Sequence, residues 1–220
     1  YVPQAHHGII ILILLVATTG SALELSSLLG LCGLDILKPR AAAIGFLVPA
    51  AFYASTFLPG QSLALMGPVL ALVAIVCFAP FAYSSKEGLS KALGSTAATS
   101  LLIIYPGLLG GMAALVVAGF PRGTEAILTY AAMVFGNDSL AWLFGVSFGK
   151  KRNLFPVSPN KSLAGFIGGF VGSVVGGLGI FFLFPEAFPT SWPWILLMAL
   201  AMGIAVITGD LFESGLKRSA

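Results

Sequence analysis

Residues 194–218 read WILLMALAMGIAVITGDLFESGLKR, an apolar run that ends in a short charged segment. Four polar side chains in that segment are spaced i, i+3, i+4 and i+7, namely Asp210, Glu213, Ser214 and Lys217. If the helix continues past the apolar run, they share one face, where carboxylates can bind a divalent cation and a lysine can bind phosphate. Charged residues that merely flank a membrane helix would explain the basic ones. They do not explain Asp210, because an acid at the edge of the hydrocarbon is costly and usually functional.

The composition is typical of a membrane protein. Of the 220 residues, 58% are hydrophobic and 9% are charged, and the mean hydropathy is +1.00. A soluble domain has about 25% charged residues. The formal net charge is +3, but the basic residues lie in short segments between apolar runs, so we do not predict nucleic-acid binding.

Seven stretches are apolar and close to the length of about 20 residues that a membrane helix needs. The sequence therefore predicts an all-α, polytopic bundle of about seven transmembrane helices. The fourth contains Pro106, which we expect to kink it. The predicted spans are residues 8–29, 41–58, 62–83, 93–120, 125–148, 162–184 and 192–211.

The basic residues alternate between the loops in a way that indicates orientation. Of the 11 lysines and arginines, only Arg122 lies in an even-numbered loop. Lysines and arginines are concentrated on the cytoplasmic side of membrane proteins. We therefore predict that the amino terminus is outside and the carboxyl terminus is cytoplasmic.

Two further acids stand out inside predicted spans. Asp138 follows Asn137 near the middle of the fifth span, where such a pair needs partners or a water-filled cavity. We predict a polar cavity open to the cytoplasm; an ion pair that serves structure alone is the alternative. Glu24, in the first span, is explained equally well by a structural hydrogen bond to a neighbouring helix and by a site, so it is left unassigned.

The loop before the sixth span has the features of an anion-binding site. Ser158 is a suitable N-cap and Pro159 suits the first helical position, which would place Lys161 in the first turn. The free N–H groups of a helix start bind phosphate well. A capped helix with an ordinary flanking lysine is the alternative. The many glycines of this span indicate close packing against a neighbouring helix.

Taken together, these features predict one site at the cytoplasmic face, in which acids bind a metal and basic groups bind phosphate. That combination indicates metal-assisted phosphoryl or nucleotidyl transfer. A transporter or channel that uses Asp138 and Asp210 as an ion path is a rival from another class. An inactive, truncated scaffold is a second rival.

The chain resembles the phosphatidate cytidylyltransferase (CDP-diacylglycerol synthase) family in three blocks. They are NDSLAW at 137–142 with FGK at 148–150, SPNKS at 158–162, and GDLFESGLKR at 209–218. The resemblance divides the chain into N-terminal transmembrane helices (1–120) and a catalytic-type region (121–220). In the family the signature continues with Lys-Asp, His-Gly-Gly and Asp-Arg-x-Asp, so we expect the metal site to be incomplete at Ala220. Ala164 also stands where the family usually has Glu.

The resemblance implies an enzyme that converts CTP and phosphatidate, a membrane lipid, into CDP-diacylglycerol and pyrophosphate with Mg²⁺. It also implies a bacterial inner membrane location with the active site facing the cytoplasm. It leaves open a second, monovalent cation and a homodimer. Related CTP-dependent lipid kinases and the archaeal lipid cytidylyltransferase are alternatives within this class.

The resemblance also implies roles for individual residues. Asp210 and Asp138 are the implied metal ligands, with Glu213 ordering the metal shell. The remaining implied roles are phosphate or metal binding by Ser158 and Ser214, charge neutralisation by Lys161, Lys217 and Arg218, and further substrate binding by Ser162 and Lys150.

Overall fold

The computed structural model describes residues 7–34, 36–58, 62–82, 85, 88–150, 156–186 and 191–219. Within these residues the regular structure is helical throughout, which confirms the all-α prediction. The helices are α1 (Gly8–Leu31), α2 (Lys38–Ser55), α3 (Ser62–Ala82), α4 (Leu89–Leu102), a π-helical segment (Ile103–Leu108), α5 (Leu109–Gly119), α6 (Gly123–Phe148), α7 (Leu163–Leu183) and α8 (Trp192–Ser219).

Since α4, the π-helical segment and α5 are continuous, the described chain forms the seven helical rods that were predicted. In the described residues, five are long and apolar enough to cross a membrane: Gly8–Leu31, Lys91–Gly119, Gly123–Phe148, Leu163–Leu183 and Trp192–Ser219. The protein is therefore an integral membrane protein. The orientation in the membrane stays a prediction. It rests partly on basic residues that lie outside the described residues, namely Lys86, Lys151 and Arg152. Tyr83, at the end of the third predicted span, also lies outside them.

The irregularity expected at Pro106 takes the form of the π-helical segment Ile103–Leu108. Proline has no N–H for the helical hydrogen bond, and its ring clashes with the carbonyl four residues earlier. Widening the helix to the π form accommodates the ring without ending the rod.

Arg40 ties α2 to α3. Its Nη2 donates a hydrogen bond of 2.7 Å to the carbonyl oxygen of Val76. Four residues after Val76 stands Pro80, which has no N–H to donate to that carbonyl as a helix normally requires. The guanidinium therefore supplies the donor that α3 lacks, in an apolar environment where an unpaired carbonyl costs several kcal/mol.

Tertiary contacts divide the chain into two compact units, which we describe separately. One comprises Tyr1–Gly123 with Ala220, and the other comprises Thr124–Ser219. The second unit consists of α6, α7 and α8 with their connections. It contains every residue to which the sequence assigned a catalytic, substrate-binding or metal role.

The glycines of α7 bring its backbone against that of α6, as predicted. A Cβ added to Gly172 would lie 2.0 Å from the carbonyl oxygen of Gly136, and one added to Gly176 would lie 2.2 Å from that of Ala132. Neither position has room for a side chain. Phe181 of α7 packs in a buried cluster with Met133 of α6 and with Ile195 and Ala199 of α8. The three helices therefore form one packed unit.

Candidate functional site

A cavity of about 360 Å³ is lined by α6, by α8 and by the start of α7 with the segment before it. Its charged lining residues are Asp138 from α6, Lys161 from the segment before α7, and Asp210 from α8. Apolar walls, which include Trp142 and Phe166, surround these groups. Three residues from separate parts of the sequence are thus brought to one place, as predicted.

Lys161 and Asp210 form an ion pair in this cavity, in which Nζ of Lys161 donates to Oδ2 of Asp210. The lysine side chain is 25% exposed and the aspartate side chain is 51% exposed. Asp138 interacts electrostatically with both of them. Two carboxylates and one ammonium group therefore share the cavity.

The N-cap of α7 is Ser162, so the predictions of Ser158 as N-cap and Pro159 as first helical residue were wrong. Ser162 has extended backbone angles (φ −107°, ψ 154°) and its Oγ accepts a hydrogen bond of 3.1 Å from the backbone N–H of Gly165. Ser158 instead opens a turn with Pro159 at its second position, closed by the backbone N–H of Lys161 on the Ser158 carbonyl at 3.2 Å. Proline is favoured at the second position of such a turn.

Because the helix begins later than predicted, Lys161 precedes the cap instead of lying in the first turn. It stands directly before Ser162 at the start of α7, and Ser162 and Gly165 both line the cavity. The end of α6 also closes on this cap, since a Cβ added to Gly149 would lie 2.8 Å from Ser162 Oγ. The predicted anion-binding helix start is therefore beside the two acids.

The segment before α7 runs along the end of α8. Nη1 of Arg218 donates to the carbonyl oxygen of Pro156 at 3.3 Å. A Cβ added to Gly215 would lie 3.8 Å from Val157. With the Lys161–Asp210 pair, these contacts hold the second and third sequence blocks side by side.

The rest of the predicted α8 site does not reach the cavity. The helix continues to Ser219, as the spacing predicted. Lys217 pairs with Glu213 at i, i+4 on an exposed surface, and neither lines the cavity. The described cavity lining also lacks four other predicted site residues: Ser158, Ser214, Arg218 and Lys150.

Asn137 and Ser173 form a buried link that the sequence reading did not assign. Asn137 is 2% exposed and lines the cavity, and its Nδ2 donates to Ser173 Oγ at 3.0 Å. Ser173 Oγ in turn donates to the carbonyl oxygen of Met133 at 3.2 Å. The polar Ser173 among the glycines of α7 was the available signal. This link holds Asn137 in place, and with it the turn of helix α6 that carries Asp138.

The donor set of the cavity fits Mg²⁺. Within the described ranges, no cluster of three or more His, Cys, Asp or Glu side chains could hold a metal. Mg²⁺ does not need one, because it usually binds through one or two carboxylates and fills its other positions with water and substrate phosphates. Asp138 and Asp210, facing one polar cavity, supply that pair.

Comparisons with known proteins point to one family. The profile of the cytidylyltransferase family matches residues 3–220. Phosphatidate cytidylyltransferase of Chlamydia trachomatis is 39% identical over 87 residues, which cover 38% of this chain and 28% of the relative. The Bacillus subtilis enzyme of that name is 34% identical over 96 residues (44% and 35%), and the Staphylococcus haemolyticus enzyme is 39% identical over 97 residues (44% and 36%). The matched segment thus spans about a third of these relatives.

Proposed function

Because the chain belongs to the cytidylyltransferase family, we propose that it transfers the cytidylyl group of CTP to phosphatidate. The products are CDP-diacylglycerol and pyrophosphate. The observation that carries the proposal is the cavity in which Asp138, Asp210 and Lys161 meet beside the start of α7. Carboxylates for a metal and cationic or N–H groups for phosphates are what nucleotidyl transfer requires.

The proposed acceptor follows from the printed names of the relatives and from the membrane setting. The relatives with 34–39% identity are phosphatidate cytidylyltransferases. A lipid phosphate lies at headgroup level, where it can meet a nucleotide from the aqueous phase. A cavity with apolar walls that include Trp142 and Phe166 suits a lipid acceptor better than a soluble one.

In the proposed reaction, a phosphate oxygen of phosphatidate attacks the α-phosphorus of CTP, and the bond to the β-phosphate breaks as pyrophosphate leaves. Lys161 and the positive end of the α7 helix dipole attract the phosphate oxygens and offset their charge. Asp138 and Asp210 would hold Mg²⁺, and the buried Asn137–Ser173 link keeps the Asp138 turn in place. When bound, Mg²⁺ supplies charge neutralisation at the reacting phosphates. A second, monovalent cation and a homodimer stay predictions.

We further propose that the protein lies in a bacterial inner membrane with the cavity open to the cytoplasm. The alternation of basic residues supports this orientation, and the relatives named above are bacterial. A transporter would instead need Asp138 and Asp210 to be reachable from both sides of the membrane. The position of the acids beside a helix start that suits phosphate favours the enzyme.

The identity of the second product tests the proposal against a CTP-dependent lipid kinase. Membranes containing the protein, given CTP, Mg²⁺ and phosphatidate, are expected to release pyrophosphate in step with CDP-diacylglycerol. The same membranes given diacylglycerol or a polyprenol instead of phosphatidate provide the control and are expected to release none. Release of CDP with formation of a phosphorylated lipid would contradict the proposal and support a kinase.

A further inference from the structure

We propose that Lys161 is an internal counter-ion that occupies Asp210 when no divalent cation is bound, and that it moves from Asp210 to substrate phosphate when the cation arrives. The inference rests on the proposed function, because it assigns the same cavity to a cation and a nucleotide. Beyond that function, Lys161 exchanges partners, binding first the Asp210 carboxylate and then a substrate phosphate. The cation and the nucleotide then bind cooperatively, because each favours the position of Lys161 that suits the other.

The charges of the cavity explain why a counter-ion is needed. Asp138 and Asp210 lie within electrostatic range of each other. Two carboxylates that face one cavity repel, and an opposite charge close by relieves the repulsion. Lys161 is the one cationic side chain in the described lining of the cavity. Lys217 is paired with Glu213 on the surface of α8 and does not line the cavity.

The position of Lys161 allows the exchange. It precedes the N-cap Ser162 instead of being packed inside the helix, and its side chain is 25% exposed. A lysine has a flexible four-carbon stem, so its ammonium group can change partners without backbone movement. The start of α7, whose positive dipole end favours a phosphate, is directly beside it.

Competition for the charge of Asp210 drives the exchange. A divalent cation that uses Asp210 needs the carboxylate that Lys161 now holds, and the two positive charges repel each other at that distance. Cation binding therefore releases the ammonium group. A nucleotide triphosphate offers the released lysine a new anion, which lowers the cost of cation binding. A lysine that served structure alone would have no such effect on cation affinity.

The test measures Mn²⁺ binding to the purified protein in detergent. Electron paramagnetic resonance reports the bound Mn²⁺, and nucleotide is absent. Lys161→Met removes the competitor, so we expect Mn²⁺ to bind about tenfold more tightly than to the wild type, within the usual range of coupling between two ligands. The tightening of Mn²⁺ binding by CTP, expected in the wild type, should be reduced in the variant. Lys161→Gln, which keeps a donor for Asp210 without the charge, is expected to lie between the two and serves if Lys161→Met does not fold.

Lys217→Met is the matched control. It also breaks a lysine–carboxylate pair that involves α8, but this pair lies outside the cavity. It is expected to leave Mn²⁺ affinity unchanged. Equal or weaker Mn²⁺ binding by the Lys161 variants, or no Mn²⁺ binding by any of these proteins, would overturn the exchange. Because this readout involves no turnover, it is separate from the proposed function. If the protein shows the exchange but makes no CDP-diacylglycerol, Lys161 is still the counter-ion and the proposed reaction is wrong.

Discussion

Replacement of Asp210 by asparagine is expected to lower kcat/KM for CDP-diacylglycerol formation by roughly 1,000-fold, the upper end of what loss of one electrostatic group in a preorganised site causes. The substitution keeps the shape of the side chain but removes the charge that Lys161 now neutralises and that would hold Mg²⁺. The measurement is initial rate against CTP concentration in membranes with matched protein levels.

Glu213→Gln is the matched comparison for Asp210→Asn. It makes the same chemical change three residues later on α8, where the carboxylate pairs with Lys217 outside the cavity. A clearly smaller loss is therefore expected. Near-normal turnover in Asp210→Asn, with normal expression, would refute the assignment of Asp210 as a metal ligand.

Gly172→Ala is expected to destabilise the second unit by about 3 kcal/mol, the upper end of the usual cost of overpacking. The added Cβ would lie 2.0 Å from the carbonyl oxygen of Gly136. The clashing atom belongs to backbone, so no side chain can rotate away and α6 must separate from α7. Since α6 carries Asn137 and Asp138, activity should fall together with stability. Thermal unfolding in detergent measures the first effect and CDP-diacylglycerol formation the second.

Gly179→Ala provides the control for Gly172→Ala on the same helix. A Cβ added to Gly179 meets no atom within 4 Å. Alanine is favoured over glycine in a helix by about 1 kcal/mol, so this variant should be unchanged or slightly more stable. If the two substitutions changed stability equally, close packing of α6 against α7 would not be the reason for glycine at position 172.

The convergence of Asp138, Lys161 and Asp210 could be predicted from the sequence because loop charge and helix count fix which helix ends share a side of the membrane. The pairing of individual charges could not. Spacing along α8 predicted Asp210, Glu213 and Lys217 on one face as parts of one site. In the structure, Asp210 pairs with Lys161, and Glu213 pairs with Lys217. That choice depends on how the segment before α7 lies along α8, which no local pattern encodes.

The start of α7 and the Asn137–Ser173 link show the same limit. Ser158 and Ser162 have the same capping chemistry, so the sequence cannot say which one caps the helix. The turn at Pro159 and the closure of α6 on Ser162 favour the later residue. The hydrogen bond between Asn137 and Ser173 requires the register of α6 against α7. Glycine spacing predicted close packing of α7 against a neighbouring helix, but neither which helix nor that register.

In the proposed function, CTP binds in the cavity of the second unit, from one side of the membrane. Ala141 lines the cavity one turn after Asp138, so the direct measurement is thiol labelling of Ala141→Cys in a protein whose two cysteines, Cys32 and Cys77, are replaced by alanine. A membrane-impermeant reagent should label this cysteine only from the cytoplasmic face, and CTP with Mg²⁺ should protect it whereas ATP with Mg²⁺ protects it far less. Labelling from the opposite face, or labelling that CTP does not slow, would contradict binding of CTP in this cavity from the cytoplasm.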